Sequence, residues 1–303
     1  MSLYLKYRPT SWKEIRGNSE VVNTLSNMVQ DIENCPHAFL LHGETGCGKT
    51  TIARIITGEL GCRGLDVIEV DSADFRGIDR VREIRQQSQF KPLGGERRAW
   101  IIDECHKMTN DAQNALLKIL EDTPPHVYFI LCTTDPQKLI KTIKGRCVQF
   151  QVHPLSDKLM RRLLIGIIKK EEKDVEEEVI QQIVRDSFGL PRNAIQILEQ
   201  VLNTSPEQQM EVAKQTAEQY SESIELCRAL IKGESWSRIA KILKGLKDQD
   251  PESIRRHVMG YAQSVLLGGE SDQAARILEE FFEPFYNTGF PGLVYACYSV
   301  IKK

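Results

Sequence analysis

The sequence has no Cys-x-x-Cys pair: its eight cysteines fall at positions 35, 47, 62, 105, 132, 147, 227 and 297 and do not cluster with the six histidines. That spacing excludes a tetrahedral zinc site and a disulfide framework as expectations. It predicts reduced thiols, several of them buried in strands. Apolar runs long enough for a membrane-spanning helix, roughly 18–20 residues, are also missing. Met1-Ser2-Leu3-Tyr4-Leu5-Lys6 has no signal-peptide character, so the expected location is the cytoplasm, with no membrane partner. Net charge is almost absent, since 40 Lys and Arg against 42 Asp and Glu leave −2. This argues against nucleic-acid binding through bulk charge and says nothing about a local basic stripe. What is present is an ordinary globular composition, 41% hydrophobic and 27% charged, which rules out wholesale disorder. The 303 residues are enough for two or three compact units.

Between about residues 36 and 150, short apolar runs alternate with helical patterns. Ala38-Phe39-Leu40-Leu41, Val67-Ile68-Glu69-Val70, Ala99-Trp100-Ile101-Ile102 and Tyr128-Phe129-Ile130-Leu131-Cys132 are rich in β-branched or aromatic types. The stretches between them are long enough for helices. The pattern predicts a parallel sheet with crossover helices, which Val148-Gln149-Phe150 can extend by a strand. After His153-Pro154-Leu155-Ser156-Asp157 the period is helical throughout. One helix runs to Ile168 with Ser156 or Asp157 as its N-cap. A second ends near Phe188-Gly189, and a third spans Arg192 to Leu202. Asn203-Thr204-Ser205-Pro206 reads as a linker, and turn signals at Gly233, Asp250-Pro251, Gly268-Gly269 and Gly289-Phe290-Pro291-Gly292 divide the helical remainder. The expected domains are an α/β domain over 1–153, a small helical domain over 154–205 and a second helical domain over 206–303.

Gly43-Glu44-Thr45-Gly46-Cys47-Gly48-Lys49-Thr50 fits G-x-x-x-x-G-K-[ST] and lies between a predicted strand and a helix opening at Thr51. Glycines let backbone N–H groups turn toward an anion, and the helix N-terminus adds its dipole. Lys49 reaches the β and γ phosphates and Thr50 ligates Mg²⁺. A second apolar strand ends in Asp103-Glu104. Successive strand residues point to opposite sides, so the two acids divide labour: Asp103 holds the Mg²⁺ shell and Glu104 polarises an attacking water. The combination predicts Mg²⁺-dependent hydrolysis of a nucleoside triphosphate, in which catalysis is positioning and charge stabilisation.

With these motifs in place, the chain resembles the AAA+ ATPase subunits of sliding-clamp loaders, the family of the bacterial DNA polymerase III γ/τ subunit and the replication factor C small subunits. The resemblance covers most of residues 3–202. It rests on Lys6-Tyr7-Arg8-Pro9 with Gly17, on Asp103-Glu104-Cys105-His106, on Asn114-Ala115-Leu116-Leu117-Lys118 with Glu121, on Thr133-Thr134-Asp135-Pro136-Gln137-Lys138-Leu139, and on Gly145-Arg146-Cys147. It implies ATP as the nucleotide, with Tyr7, Arg8 and Pro9 lining the adenine pocket and residues 43–50 plus Thr51 around the phosphates. It also implies Thr134 near the γ phosphate as sensor 1 and Arg192 reaching the same phosphate as sensor 2. Arg146 becomes an arginine finger inserted into a neighbouring subunit's site. The fold implied is an α/β P-loop AAA+ domain followed by a small helical lid and an all-helical C-terminal collar that joins subunits in a ring, with five subunits expected. Two departures stand out. Gly145 replaces the family's serine, and only Gly61-Cys62-Arg63-Gly64 occupies the place of the bacterial zinc module. The missing insertion is closer to replication factor C and suggests a bacteriophage or divergent protein, acting in the host cytoplasm if phage-borne.

Residues 76–98 hold seven basic and three acidic side chains, the local stripe that net charge conceals. On a helix beginning near Ile78, the residues Ile78, Val81 and Ile84 form a buried stripe. Arg80 projects away from it, and Arg82 and Arg85 flank it. With Arg76, these side chains fit phosphate tracking without base reading; a solvated helix face gives the same pattern. By resemblance the helix lines a channel for primer-template DNA. Phe90, before Lys91-Pro92-Leu93, docks the sliding clamp by resemblance, whereas core packing explains two apolar residues equally well. Gln113 is read as a coupler to the adjacent subunit, against a plain exposed glutamine. The rival enzyme reading is another AAA+ DNA motor, a branch-migration helicase or helicase loader, opposed by the lack of a clear winged helix after residue 206. A catalytically dead scaffold is opposed by Lys49, Thr50, Asp103, Glu104 and Arg146 all being present.

Overall fold

Apart from its last residue, the run from Val127 to Thr133 carries no polar side chain except a tyrosine hydroxyl, and it forms a strand buried along its whole length. A strand covered on both faces has no solvent side to reward alternation. In the computed structural model, which describes residues 1–71, 78–220, 222–247 and 249–302, this strand lies at the centre of a five-stranded sheet. The strands are β1 (Ala38–His42), β2 (Val67–Asp71), β3 (Arg98–Asp103), β4 (Val127–Thr133) and β5 (Val148–Gln151). Their order is β2-β3-β4-β1-β5 and every pairing is parallel. The short run at 148–150 is thus an edge strand, paired Phe39 to Val148 and Leu41 to Phe150.

The helices of this first unit are α1 (Leu3–Lys6), α2 (Ser19–Gln30), α3 (Lys49–Glu59), α4 (Ile78–Ser88), α5 (Asn110–Glu121) and α6 (Lys141–Lys144). Alternate strand residues sort into two cores, as a two-residue period requires. Leu40, Trp100, Ile102, Phe129 and Leu131 pack with Val81 and Ile84 of α4 and Leu116 and Ile119 of α5. Phe39, Leu41, Ile101, Ile130 and Cys132 pack with Leu25 and Val29 of α2 and Ile52 and Ile56 of α3. The buried stripe of α4 therefore exists at Val81 and Ile84; the side chain of Ile78 lies outside the described residues.

All eight cysteines are free and buried, yet only Cys132 lies in a strand, against the expectation of several. A thiol is small enough to fill gaps in turns and helices, so burial does not imply β structure. Burial pushes the Cys35 thiol up to about 11 and Cys62 and Cys147 to about 12, which leaves them protonated and unreactive at neutral pH.

The chain divides into two compact units, one of residues 1, 3–159 and 190–192, the other of residues 2, 160–189 and 193–303. The helices that follow the sheet are α7 (Asp157–Lys170), α8 (Glu177–Asp186), α9 (Pro191–Leu202), α10 (Gln209–Tyr220), α11 (Glu222–Ile231), α12 (Trp236–Gly245), α13 (Pro251–Gly268), α14 (Asp272–Glu280) and α15 (Gly289–Lys302). Most of the expected lid and all of the described collar lie in the second unit. A buried junction joins them: Asp186 at the end of α8 accepts from Arg228 of α11 at 2.5 Å, and Phe188 stacks on His257 of α13 at 4.6 Å. Phe188 takes a left-handed backbone, φ +52°, which ends α8.

Candidate functional site

Parallel strands bring their carboxyl ends to one edge of a sheet, and the loops leaving that edge face each other. Here β4 lies between β1 and β3, so the residues after β1, β3 and β4 meet. The chain leaves β1 through Gly43, whose φ is +153° and where a Cβ would stand 2.2 Å from the Val152 carbonyl oxygen. No side chain fits there. The Gly43 N–H donates to the Thr133 carbonyl at 3.2 Å, which ties the loop to the end of β4. The loop closes into α3 at Lys49, which is 5% exposed. Its ammonium donates to the carbonyls of Gly43 and Glu44, both at 2.9 Å, and so points into the cradle formed by residues 43–48. The first N–H groups of α3 open onto the same loop and give it positive potential.

Thr50, one residue on, donates its hydroxyl to Asp103 Oδ2 at 2.8 Å. Asp103 ends β3, and its Oδ1 accepts the Glu104 N–H at 2.9 Å. Glu104 has φ +49°, a conformation that costs a non-glycine residue energy and that concentrates at functional positions. Its Oε2 accepts from the Thr134 hydroxyl at 3.2 Å and lies 3.3 Å from His106 Nδ1. The same His106 nitrogen is 3.0 Å from the Thr133 hydroxyl. Burial pulls the His106 imidazole below its usual range, with Glu104 opposing, so the ring is neutral at pH 7. The structure therefore gathers Lys49, Thr50, Asp103, Glu104 and Thr134 at one edge. It adds His106, a residue the motif contained but to which sequence reasoning gave no role.

On the outer side of α3, Arg8 Nε donates to the Thr51 hydroxyl at 3.2 Å. Burial lowers the Arg8 pKa, and the positive charges of Arg54 and Arg192 lower it further. The three guanidiniums thus share one neighbourhood. Arg192 lies over the Tyr4 ring at 5.9 Å, and Arg54 Nη2 donates to Glu69 at 2.6 Å. Arg54 and Tyr4 carried no sequence signal; helical spacing put Arg54 one turn from Thr50 and nothing more. Tyr7 and Pro9 are half-buried, and the Lys6 ammonium stands 5.4 Å from the Tyr7 ring.

Arg146 is elsewhere. It precedes β5, and β5 runs parallel to β1, so Arg146 lies at the amino edge of the sheet and the phosphate loop at the carboxyl edge. Its guanidinium donates to Glu121 and, at 3.1 Å, to the Thr142 carbonyl.

The basic segment is less charged at its surface than its composition suggests. Arg80 pairs with Glu83 at 2.5 Å and Arg82 with Asp79 at 2.9 Å, both on α4. Exposed pairs of this kind contribute little and exchange readily for other anions. Arg85 is exposed, and Arg76 lies outside the described residues. Arg98 is 6% exposed and paired with Asp66, and Arg97 donates to the Leu60 carbonyl at 3.0 Å, so these two do structural tasks. Phe90 is 66% exposed and Leu93 78%, which removes the core-packing reading of both. Gln113 is neither exposed nor at a free surface. It is 1% exposed, donates to the carbonyls of Met108 and Lys138 and accepts the Ile140 N–H at 2.9 Å. It cross-links two loops of its own chain, which removes the alternative of a plain exposed glutamine.

Among the described residues, no helix is long and apolar enough to cross a membrane. After residue 206 the described elements are helices and a single 3₁₀ turn.

Comparison with known proteins adds three findings. Residues 64–156 match the family described as DNA polymerase III, delta subunit, and residues 15–77 match the Sigma-54 interaction domain. The DNA polymerase III subunit gamma/tau of Mycobacterium tuberculosis is 35% identical over 225 residues, which are 67% of this chain and 39% of that protein. The subunit gamma of Buchnera aphidicola from Schizaphis graminum is 35% identical over 221 residues, 66% of this chain and 61% of its own length. The tau subunit of Escherichia coli K12 is 33% identical over 218 residues, 65% of this chain and 34% of that protein. The chain therefore spans less than two thirds of the length of each of these relatives, from 34% to 61%. Solved structures of Thermotoga maritima RuvB, one titled a Holliday junction branch migration motor, superpose with a TM-score of 0.60 at 20% identity, covering 89% of this chain and 88% of that one. A likeness at that identity establishes the P-loop AAA+ fold alone. The chain belongs to the family of the DNA polymerase III gamma/tau subunits, the AAA+ clamp-loader family that its motifs resemble.

Proposed function

We propose that this chain is the ATPase subunit of a sliding-clamp loader, using ATP to open a processivity clamp and place it on primer-template DNA. The observation that carries the reading is the convergence of Lys49, the Thr50–Asp103 pair and the Glu104–Thr134 contact at one edge of the sheet. In this reading, Lys49 exchanges its carbonyl partners for the β and γ phosphates of ATP, which lie against the backbone of residues 43–48. Thr50 and Asp103 are two oxygen donors already side by side, the donor type and small number that Mg²⁺ takes from a protein when phosphates supply the rest. Bound there, Mg²⁺ would neutralise phosphate charge. Glu104 takes the proton of the attacking water, and Thr134 holds its carboxylate in line. Arg8, fixed on Thr51, lines the base side of the site with Tyr7 and Pro9. Arg192 approaches the phosphates as sensor 2.

The position of Arg146 at the far edge of the sheet supports a role in trans: it completes the site of the next subunit. Residues 154–205 then act as lid and 206–303 as collar within a five-membered ring in the cytoplasm. Arg80, Arg82 and Arg85, with Arg76, face phosphates of DNA in the ring's channel, trading the intrahelical partners of Arg80 and Arg82 for the DNA backbone. Phe90 and Leu93 offer apolar surface to the clamp. No comparable feature favours the branch-migration reading, because the RuvB likeness carries the fold only.

The clamp assignment is tested by capture of the sliding clamp from the same source on immobilised, ATP-bound complex. Phe90→Ala is expected to weaken clamp affinity at least tenfold with its thermal midpoint unchanged, since an exposed phenyl carries no core packing. Unchanged affinity would remove Phe90 from the interface.

A further inference from the structure

The loop that exposes Phe90 and Leu93 has an internal anchor of unusual density. Asp66, just before β2, is fully buried. Its carboxylate accepts the N–H groups of Leu93 at 2.9 Å, Gly94 at 2.6 Å and Gly95 at 3.0 Å. Arg98, the first residue of β3, donates to the same carboxylate at 3.2 Å. From there its guanidinium reaches the carbonyls of Gln87, Phe90 and Lys91. Burial opposes ionisation of Asp66, but the three backbone donors and Arg98 together hold its carboxyl below the usual carboxylate range. Gly95 completes the turn where a Cβ would stand 2.5 Å from the Gly61 carbonyl oxygen. His126 Nε2 adds a contact to the Phe90 carbonyl at 3.1 Å.

Loops with exposed apolar tips ordinarily move, and ordering them on binding reduces affinity. Here each end of the segment 87–95 is fixed from below: Arg98 holds carbonyls on the Phe90 side and Asp66 holds N–H groups on the Leu93 side. The buried Asp66–Arg98 ion pair bridges the two halves. Neither residue reaches the surface to touch a partner.

We propose that Asp66 and Arg98 are positioning residues that hold the Phe90–Leu93 loop preformed for docking. The inference rests on the clamp reading of Phe90 for its function, although the anchor itself can be examined without any partner. The test combines amide hydrogen exchange with clamp affinity in the full complex, using the sliding clamp from the same source as probe. Asp66→Asn removes the charge and part of the acceptor capacity. It is expected to raise exchange at Leu93, Gly94 and Gly95 at least tenfold, leave the β4 amides protected and weaken clamp binding at least tenfold. Gly94→Pro, which keeps both Asp66 and Arg98 but deletes one backbone donor to Asp66 and sets the ring Cδ against its carboxylate, is expected to act in the same direction should Asp66→Asn fail to fold. Arg98→Lys is expected to loosen the loop as well, because one ammonium cannot span the carboxylate and three carbonyls that the planar fork reaches. Unchanged exchange at the three loop amides would overturn the anchor. Raised exchange with unchanged clamp affinity would overturn its positioning role. If Phe90→Ala also leaves clamp affinity unchanged, the clamp reading itself falls, and the exchange measurement still decides whether the anchor exists.

Discussion

Glu104→Gln is expected to lower multiple-turnover ATP hydrolysis by about 10²–10⁴-fold, the range for loss of a positioned general base, with ATP affinity within about threefold of the unchanged chain. The reason lies in the geometry. Nucleotide binding in this reading draws on Lys49, the cradle of residues 43–48 and the Thr50–Asp103 pair, and Glu104 belongs to none of these. Its carboxylate is held instead by the Thr134 hydroxyl and His106 Nδ1, in a left-handed backbone that the turn after β3 imposes. Glutamine keeps the volume and still accepts from Thr134, so the turn survives and only the proton acceptor is lost. Equal loss of binding and turnover would mean that Glu104 serves the fold of the site rather than the chemistry. Single-turnover and equilibrium nucleotide titrations on the same preparation separate the two.

Arg146→Ala is expected to reduce hydrolysis in the assembled ring by about 10³–10⁵-fold, the usual contribution of an arginine finger. In the proposed ring, where Arg146 at the amino edge of its own sheet completes the next subunit's site, the deficit belongs to that neighbour. That location gives a sharper outcome than the single variant does. Arg146→Ala chains keep an intact ATP site and Glu104→Gln chains keep an intact finger, so mixing the two is expected to restore activity at interfaces that pair them. A finger acting within its own chain would leave the mixture as inactive as either component. Glu121, which holds Arg146 in the chain described here, would have to release it on assembly.

Much of this site was legible in the sequence because its elements announce themselves locally. Four apolar runs and one weaker one became five parallel strands within a residue or two of their expected ends, since a parallel strand buried on both faces needs a continuous apolar run. The phosphate loop and Asp103-Glu104 were legible for the same reason, each placed at a strand end by its immediate neighbours. What was not legible depends on partners distant in sequence. Arg98 counted as one more surface charge until Asp66, 32 residues earlier, proved to be its buried partner. Gln113 sits on an amphipathic helix where a polar side chain ordinarily faces water. Its burial follows from the Met108, Lys138 and Ile140 backbone groups that surround it. Arg54 and Tyr4 join the site only because the N-terminal segment folds back along α3, a route no local pattern encodes. The cysteines show the converse error, in which a correct expectation of burial was attached to strands when turns and helices supplied most of it.

The central claim is that hydrolysis by this chain is governed by a clamp and DNA bound to an assembled ring. Steady-state ATP turnover of the purified complex, measured alone, with the sliding clamp, with primed DNA and with both, addresses it most directly. Slow turnover alone and at least tenfold stimulation when clamp and primed DNA are present together is the predicted result. Turnover that ignores the clamp and accompanies strand displacement, or no turnover under any of the four conditions, would contradict it.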